Sequence, residues 1–332
     1  MSNTKLSFRV DASSSIGLGH ITRCIELAKL LKNKFEIYFY SKEISENLIS
    51  IITEEGFNFI SIKNESMFFN AIKNENVVLD GYQFNSEYQK ALSSLSKNLI
   101  SVDERQNIFY HSDILINNNP KLPNDGFDIK DGGIVHTGIE YSILKEVFRI
   151  ENKKQFKPLM ELPLCLSIFI CFGGSDPKNL SKKTLEIILE HSNASVDLVL
   201  GPSYDIKLIE EYTISDRVRI YSSISSIVIA ELIKKSDLVV VPCSTIMLEA
   251  FCIGKPIISG WFEQNQNNSL DYFNDNNYLK SCGNFNDEEF KDNLILAIQE
   301  LDVNRANTQI ANQKAIKFSD SKLIEVFNNL DE

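Results

Sequence analysis

The sequence predicts two doubly wound, Rossmann-like α/β domains facing a central cleft, and three observations carry that reading. Strand-length runs of β-branched and aromatic residues alternate with stretches of helical period between residues 5 and 117. The same rhythm restarts at residue 166 after an irregular stretch. At 332 residues the chain is long for one core and comfortable for two.

In the first half, KLSFRVD at 5–11 reads as a strand, followed by a Ser/Gly loop and a helix over 20–32. Ile21, Cys24, Ile25, Ala28 and Leu31 of that helix share one face. Further strands are predicted at 35–41, 57–61, 76–80, 98–102 and 113–117, with helices near 44–55, 65–74 and 85–97. Strands parted by helical patterns mean βαβ units and a parallel sheet. The segment 118–160, rich in Asn, Gly, Pro and charge, places the boundary between domains 1–152 and 153–332. The second half predicts strands at 166–172, 195–200, 217–221, 237–241 and 256–259. Its tail, 286–330, reads as two helices, the last expected to pack back on the first domain.

Composition removes several function classes. A formal net charge of −11 argues against a nucleic-acid or anionic-membrane surface, which needs excess Lys and Arg. It leaves room for one nucleotide ligand, because backbone N–H groups and helix N-termini hold phosphate locally. The start lacks a basic segment followed by a long apolar run, and no apolar stretch reaches the roughly 18–20 residues that span a bilayer. A soluble, cytoplasmic chain is therefore expected. The six cysteines (Cys24, Cys165, Cys171, Cys243, Cys252, Cys282) form no CxxC pair and the four histidines are scattered. Reduced thiols, mostly in the core, and no metal site are expected.

In open α/β sheets ligands bind beyond the carboxyl ends of the strands. Several polar clusters fall at such ends. Asp11 opens one that runs through Gly17 and Gly19 to His20, between the first strand and first helix. Two glycines allow a tight turn and close backbone approach, but the third glycine of a dinucleotide fingerprint is absent. A plain Gly-rich turn with a helix-capping histidine is the alternative. Asp80-Gly81-Tyr82, Asp103-Glu104 and Asn117–Pro120 also follow strands, and a turn is the default for each. In the second half, Gly173-Gly174-Ser175-Asp176 can form a phosphate-holding backbone nest, or simply a loop with an N-cap at Ser175 or Asp176. Ser244 and Thr245 open a helix whose N-terminus can meet an anion, with Glu249 further along it as a partner for ribose hydroxyls. Asn265 and Gln266 begin an amide-rich run suited to a polyhydroxylated ligand, or a solvated helix start.

Taken together, FRVDASSSIGLGHITRC, LDGYQF, SDILINNN, GIEYSILKEVF, FICFGGSDPKNLSKKTL and CSTIMLEAFCIGKPII with the downstream Asn-Gln pair resemble one family. It is that of the UDP-2,4-diacetamido-2,4,6-trideoxy-β-L-altropyranose hydrolases of pseudaminic acid biosynthesis, related in fold to GT-B glycosyltransferases. The motifs run from residue 8 to about 270 in the family's order. The resemblance implies hydrolysis of a UDP-sugar at the anomeric C–O bond, with inversion and release of UDP, in the making of a cell-surface polysaccharide sugar. It implies His20 and Tyr82 beside the anomeric carbon, and Ser244, Thr245 and Glu249 on the diphosphate and ribose. Asn265 and Gln266 fall near the pyrophosphate and sugar, and Gly17 and Gly174 line the cleft. Asp11, Gly19 and Gly173 complete the expected substrate contacts. Gly81 stands where the family often has histidine, and Glu104 where a second aspartate is common.

No cofactor is expected, and the expected partner is a small-molecule UDP-sugar, bound by a monomer. The family's trailing acetyltransferase domain is not expected here. Two rival readings share the fold: a glycosyltransferase that passes the sugar to an acceptor, and a non-catalytic nucleotide-sugar binding protein. An NAD-dependent dehydrogenase is disfavoured by the missing third glycine and by the lack of a clear acidic residue after the second strand.

Overall fold

The computed structural model describes residues 4–331 apart from 14–15, 106, 119, 121–125, 175, 177 and 202–203, and the side chains of 265, 268, 329 and 331 lie outside the description. The chain divides into two compact units, one of residues 1–143 with 318–332, the other of residues 144–317.

The first unit is a seven-stranded, all-parallel sheet. Its strands are β1 (Thr4–Val10), β2 (Phe35–Ser41), β3 (Asn58–Ser61), β4 (Asn76–Asp80), β5 (Asn98–Val102), β6 (Ile114–Asn117) and β7 (Ile134–Thr137). They lie in the order β3-β2-β1-β4-β5-β6-β7. Helices α1 (Gly19–Leu31), α2 (Glu46–Glu54), α3 (Glu65–Ala71) and α4 (Ser86–Ser93) supply the crossovers. Alternate residues of one strand enter different cores, as a period of two requires. Phe39, Val78 and Ile100 join the cluster built on α1 and α2, whereas Tyr40, Leu79 and Leu99 join the one built on α3 and α4.

The second unit opens with α5 (Glu146–Asn152), which packs on helices of its own unit although residues 118–160 read as irregular in the sequence. Its parallel sheet has six strands in the order β10-β9-β8-β11-β12-β13. These are β8 (Ser167–Cys171), β9 (Ser195–Leu200), β10 (Val218–Ser222), β11 (Leu238–Pro242), β12 (Ile257–Trp261) and β13 (Lys280–Asn284). The helices are α6 (Leu180–His191), α7 (Ser226–Lys235), α8 (Thr245–Ile253), α9 (Gln264–Asp275), α10 (Phe290–Gln299) and α11 (Val303–Ala315).

Two features of the strands and tail depart from the sequence reading. The edge strands β7 and β13 were not expected, and β13, KSCGN, has no β-branched residue. The tail holds three α-helices rather than two, because α10 and α11 are parted at Leu301-Asp302, with Asp302 accepting from Arg305 N to start α11. The third, α12 (Asp320–Val326), belongs to the first unit.

That segment is fastened firmly. Leu323, Val326, Phe327 and Leu330 are buried in the α1 core. Lys34 Nζ, just beyond α1, donates to Phe327 O at 3.0 Å, and Asn76 Nδ2 donates to Leu330 O at 3.3 Å. Phe327→Ala removes a fully buried ring, so the first unit is expected to lose about 3–5 kcal/mol in a denaturant titration.

Five of the six cysteines are buried and Cys165 is exposed; all are free thiols. No helix among the described residues is long and apolar enough to cross a membrane.

Candidate active site

In the first sheet, β1 lies beside β4, so successive connections leave this pair in opposite directions. Such a switch point opens a crevice at the carboxyl ends of the strands. The loop after β1 enters it with Gly17 at φ +84°, a conformation that strains any L side chain. Nothing lies within 4 Å of where a Cβ would stand on Gly17 or Gly19. Helix α1 then starts without a side-chain cap from Leu18. His20 and Arg23 sit three residues apart on it, and so share a face.

Both point to Asp80, the last residue of β4, whose side chain is wholly buried. His20 Nδ1 lies 2.7 Å from Asp80 Oδ1. Arg23 donates from Nε to Oδ2 at 2.5 Å and from Nη2 to Oδ1 at 2.6 Å, and Cys24 Sγ approaches Oδ2 at 3.4 Å. Burial alone would raise the Asp80 pKa. The Arg23 charge and hydrogen bonds, with the His20 bond, outweigh it and hold the carboxyl below its ordinary value.

This geometry selects a tautomer. Two acceptors do not tolerate 2.7 Å, so Nδ1 carries the proton and donates it to Asp80. Arg23 Nη2, 3.1 Å from the same Nδ1, is there because it shares Oδ1. Nε2 is then the acceptor nitrogen, and it has no hydrogen bond among the described residues. An imidazole oriented by a carboxylate, with its second nitrogen open, is the arrangement of a general base.

Tyr82 stands edge-on to the imidazole, ring centroids 4.6 Å apart at 88°. The residue is 44% exposed, and partial burial and then the Glu104 charge push the phenol above its ordinary pKa, so it remains a hydrogen-bond donor. The backbone beside it is held by Arg105, which donates to Tyr82 O at 2.8 Å and Phe84 O at 2.9 Å. Asp103 in turn grips Arg105 through both carboxylate oxygens. Gly81 permits the turn: its φ is +150°, and a Cβ there would meet Gln83 Oε1 at 2.5 Å. Arg23 also reaches Glu104 at 2.9 Å, which ties the β4 and β5 loops together.

Asp11 is directed elsewhere. Its Oδ1 accepts from Arg9 at 2.7 Å, Lys42 N at 2.6 Å and Glu43 N at 3.2 Å, and its Oδ2 accepts from Gln83 at 3.2 Å. These bonds lock the ends of β1 and β2 and steady the Tyr82 loop. Asp11 therefore acts on the site through its neighbours.

In the second sheet the switch point lies between β8 and β11. Gly173, at φ +85°, and Gly174 follow β8, with open space where either Cβ would stand. Their carbonyls pack so closely on Gly201, after β9, that a Cβ there would lie 2.0 Å from Gly174 O. Asp176 accepts from Leu180 N and Ser181 N at 2.8 and 2.7 Å and caps α6; Ser175 lies outside the described residues. Ser244 and Thr245 follow β11 at the start of α8. Ser244 holds the N-cap position, yet its side chain makes no cap bond. Met247 N turns back to Ser244 O at 3.0 Å, whereas the N–H groups of Thr245 and Ile246 have no hydrogen bond among the described residues, and the helix dipole favours an anionic acceptor there. Glu249, one turn on from Thr245, is buried. After β12, Gln266 Oε1 accepts from Phe262 N at 3.0 Å, so its carbonyl fixes the start of α9, and its amide nitrogen has no hydrogen bond among the described residues. The Asn265 side chain lies outside the described residues.

The far end of α8 is anchored by Lys314. Its ammonium donates to Cys252 O and Glu151 O, both at 2.7 Å, in the closing turns of α8 and α5. Burial pushes its pKa down to about 8. Between pH 8 and the ordinary lysine value of 10.5 the unfolded chain binds the extra proton, so Lys314 makes stability rise with pH across that window. Denaturant titrations from pH 7.5 to 10.5 should show wild type gaining on Lys314→Met as pH rises.

Sequence reasoning missed Arg23 as a site residue and left Asp80 as a turn. The i, i+3 spacing of His20 and Arg23 is the signal that could have found Arg23, since a buried Arg so placed needs a carboxylate.

No family model matches the chain. It is 30% identical over 345 aligned positions to the uncharacterized protein MJ1062 of Methanocaldococcus jannaschii, covering 96% of this chain and 69% of that protein. It is 25% identical over 260 positions to the UDP-2,4-diacetamido-2,4,6-trideoxy-beta-L-altropyranose hydrolase of Campylobacter jejuni, covering 75% of this chain and 88% of that enzyme. Among solved structures, a glycosyltransferase from Rickettsia africae ESF-5 matches with a TM-score of 0.64 at 15% identity over the whole of both chains. That likeness speaks for the fold: two parallel-sheet, Rossmann-like units of the GT-B type.

Proposed function

The chain belongs to the family of the uncharacterized protein MJ1062 of Methanocaldococcus jannaschii, and from that premise and the geometry of its side chains we propose that it is an enzyme that hydrolyses a UDP-sugar. The observation that carries the reading is the His20–Asp80 pair, with Nδ1 donating at 2.7 Å and Nε2 open. The likeness to the Campylobacter jejuni hydrolase supports the finer statement that the sugar is a diacetamido-trideoxy hexose, made toward a nonulosonic acid of the pseudaminic type.

In this reaction water attacks the anomeric carbon and its proton passes to His20 Nε2. The C–O bond to the diphosphate breaks, its electron pair leaves with UDP, and the configuration inverts. Asp80 keeps the imidazole in the accepting tautomer and stabilises it once protonated. Tyr82, a protonated phenol beside the ring, donates to the water or to a sugar oxygen. The orphan N–H groups of α8, with the Gly173-Gly174 backbone, receive the departing diphosphate. Glu249 takes the ribose, and the Gln266 amide donates to the pyrophosphate or the sugar.

Proton NMR of the protein with a panel of UDP-sugars tests the reading. It should show free sugar, UDP and an inverted anomer with no acceptor present. Turnover only when an acceptor is added would make the protein a glycosyltransferase. Binding with the sugar left intact would make it a nucleotide-sugar sensor.

A further inference from the structure

The amino-terminal edge of the second unit's sheet, opposite the loops that follow β8 and β11, holds a cavity of about 570 Å³. That is the size of a site for a small metabolite. Its apolar floor includes Leu238 and Ile257, the fully buried first residues of β11 and β12. Its rim is polar and carries one positive charge in excess. Glu300 Oε2 accepts from Lys280 at 3.1 Å and from Arg305 at 2.8 Å, so one carboxylate stands against two cations.

The amides around the cavity add donors. Asn274 Oδ1 accepts from Ser281 N at 2.9 Å and Gln309 Oε1 accepts from Ile257 N at 2.8 Å, which leaves each side chain its amino group. Gln309 is 7% exposed, and its Nε2 has no hydrogen bond among the described residues. That nitrogen reaches solvent, so it is free to donate to a ligand. Asn304 and Arg305 lie in the first turn of α11, where the helix dipole adds positive potential that the Asp302 cap, accepting from Arg305 N at 2.8 Å, partly offsets. Donors outnumber acceptors, and the charge balance asks for an oxyanion.

We propose that this cavity is a second ligand site, for a monosaccharide bearing one phosphate or carboxylate group. Lys280 and Arg305 receive the oxyanion, and the amides of Gln309 and Asn304 meet hydroxyls over the apolar floor. The site lies within one unit and does not depend on the reading of His20.

Isothermal titration of the full-length protein, saturated with UDP, tests this with glucose 6-phosphate, glucuronate and glucose as probes. Saturable binding of glucose 6-phosphate or glucuronate, and not of glucose, is expected, and which anion binds identifies the charged group. Arg305→Ala should weaken it by about ten- to a hundredfold, the scale of a lost hydrogen bond to a charged group. Asn304→Asp places a carboxylate in the cavity while keeping a residue favoured in a first helical turn, so it should remove binding and leave the fold intact. Absence of saturable binding by either anion, equal binding of glucose, or full affinity in both variants would overturn the proposal.

Discussion

His20→Asn should lower turnover of a UDP-sugar by about 10²–10⁴-fold, the usual contribution of a general base. The loss should fall on kcat with little change in the affinity for UDP. Diphosphate recognition is assigned to α8 and the Gly173-Gly174 loop, whereas the imidazole's partners are Asp80 and Tyr82. His20→Gln serves as a second probe, because its longer amide still reaches toward Asp80 but accepts no proton. Near-normal turnover by either variant removes His20 from the chemistry.

Asp80→Asn is expected to cost more than activity. Replacing the carboxylate behind a catalytic histidine by its amide has cost about four orders of magnitude in kcat in a serine protease, because the ring adopts the wrong tautomer. A comparable fall is expected here. Arg23, which Asp80 neutralises inside the protein, would keep Glu104 as its one charged partner among the described residues. Leaving a buried charge short of its partner costs about 3–5 kcal/mol. For a unit of this size that is a fall in melting temperature of roughly 6–20 °C. Arg23→Met with Asp80→Asn removes both charges and should recover much of the stability but none of the turnover. Full turnover by Asp80→Asn, at unchanged stability, would show that the His20 tautomer does not depend on this carboxylate.

Much of the fold was legible because buried parallel strands announce themselves. VVLD, NLISV and SIFIC are apolar runs of strand length that tolerate few alternatives. The edge strands were not. β13, KSCGN, is held by its pairing with β12 across a register shift, and Gly260 lies so close to Gly283 O that only glycine fits. Neither condition leaves a mark in a local pattern. The candidate site divides in the same way. His20 stood out by type and position and Tyr82 only through the family resemblance, and their rings stand edge to edge. Asp80 did not stand out, since an Asp-Gly pair after a strand looks like any turn until strand order places β4 beside β1. Asp11 and Gln266 carried the reverse ambiguity, because a polar group next to a ligand loop can equally well tie down the loop itself, as both do here.

The return of residues 318–332 to the first unit constrains how the protein is made. On a ribosome the amino-terminal unit normally folds as soon as it emerges. Here the α1 face lacks Leu323, Val326, Phe327 and Leu330 until residues 323–330 have been synthesised. The inserted unit, residues 144–317, is complete before the one that precedes it. At ordinary rates of synthesis the nascent chain carries that apolar surface uncovered for roughly 10–40 s, an interval in which chaperones have the most to bind.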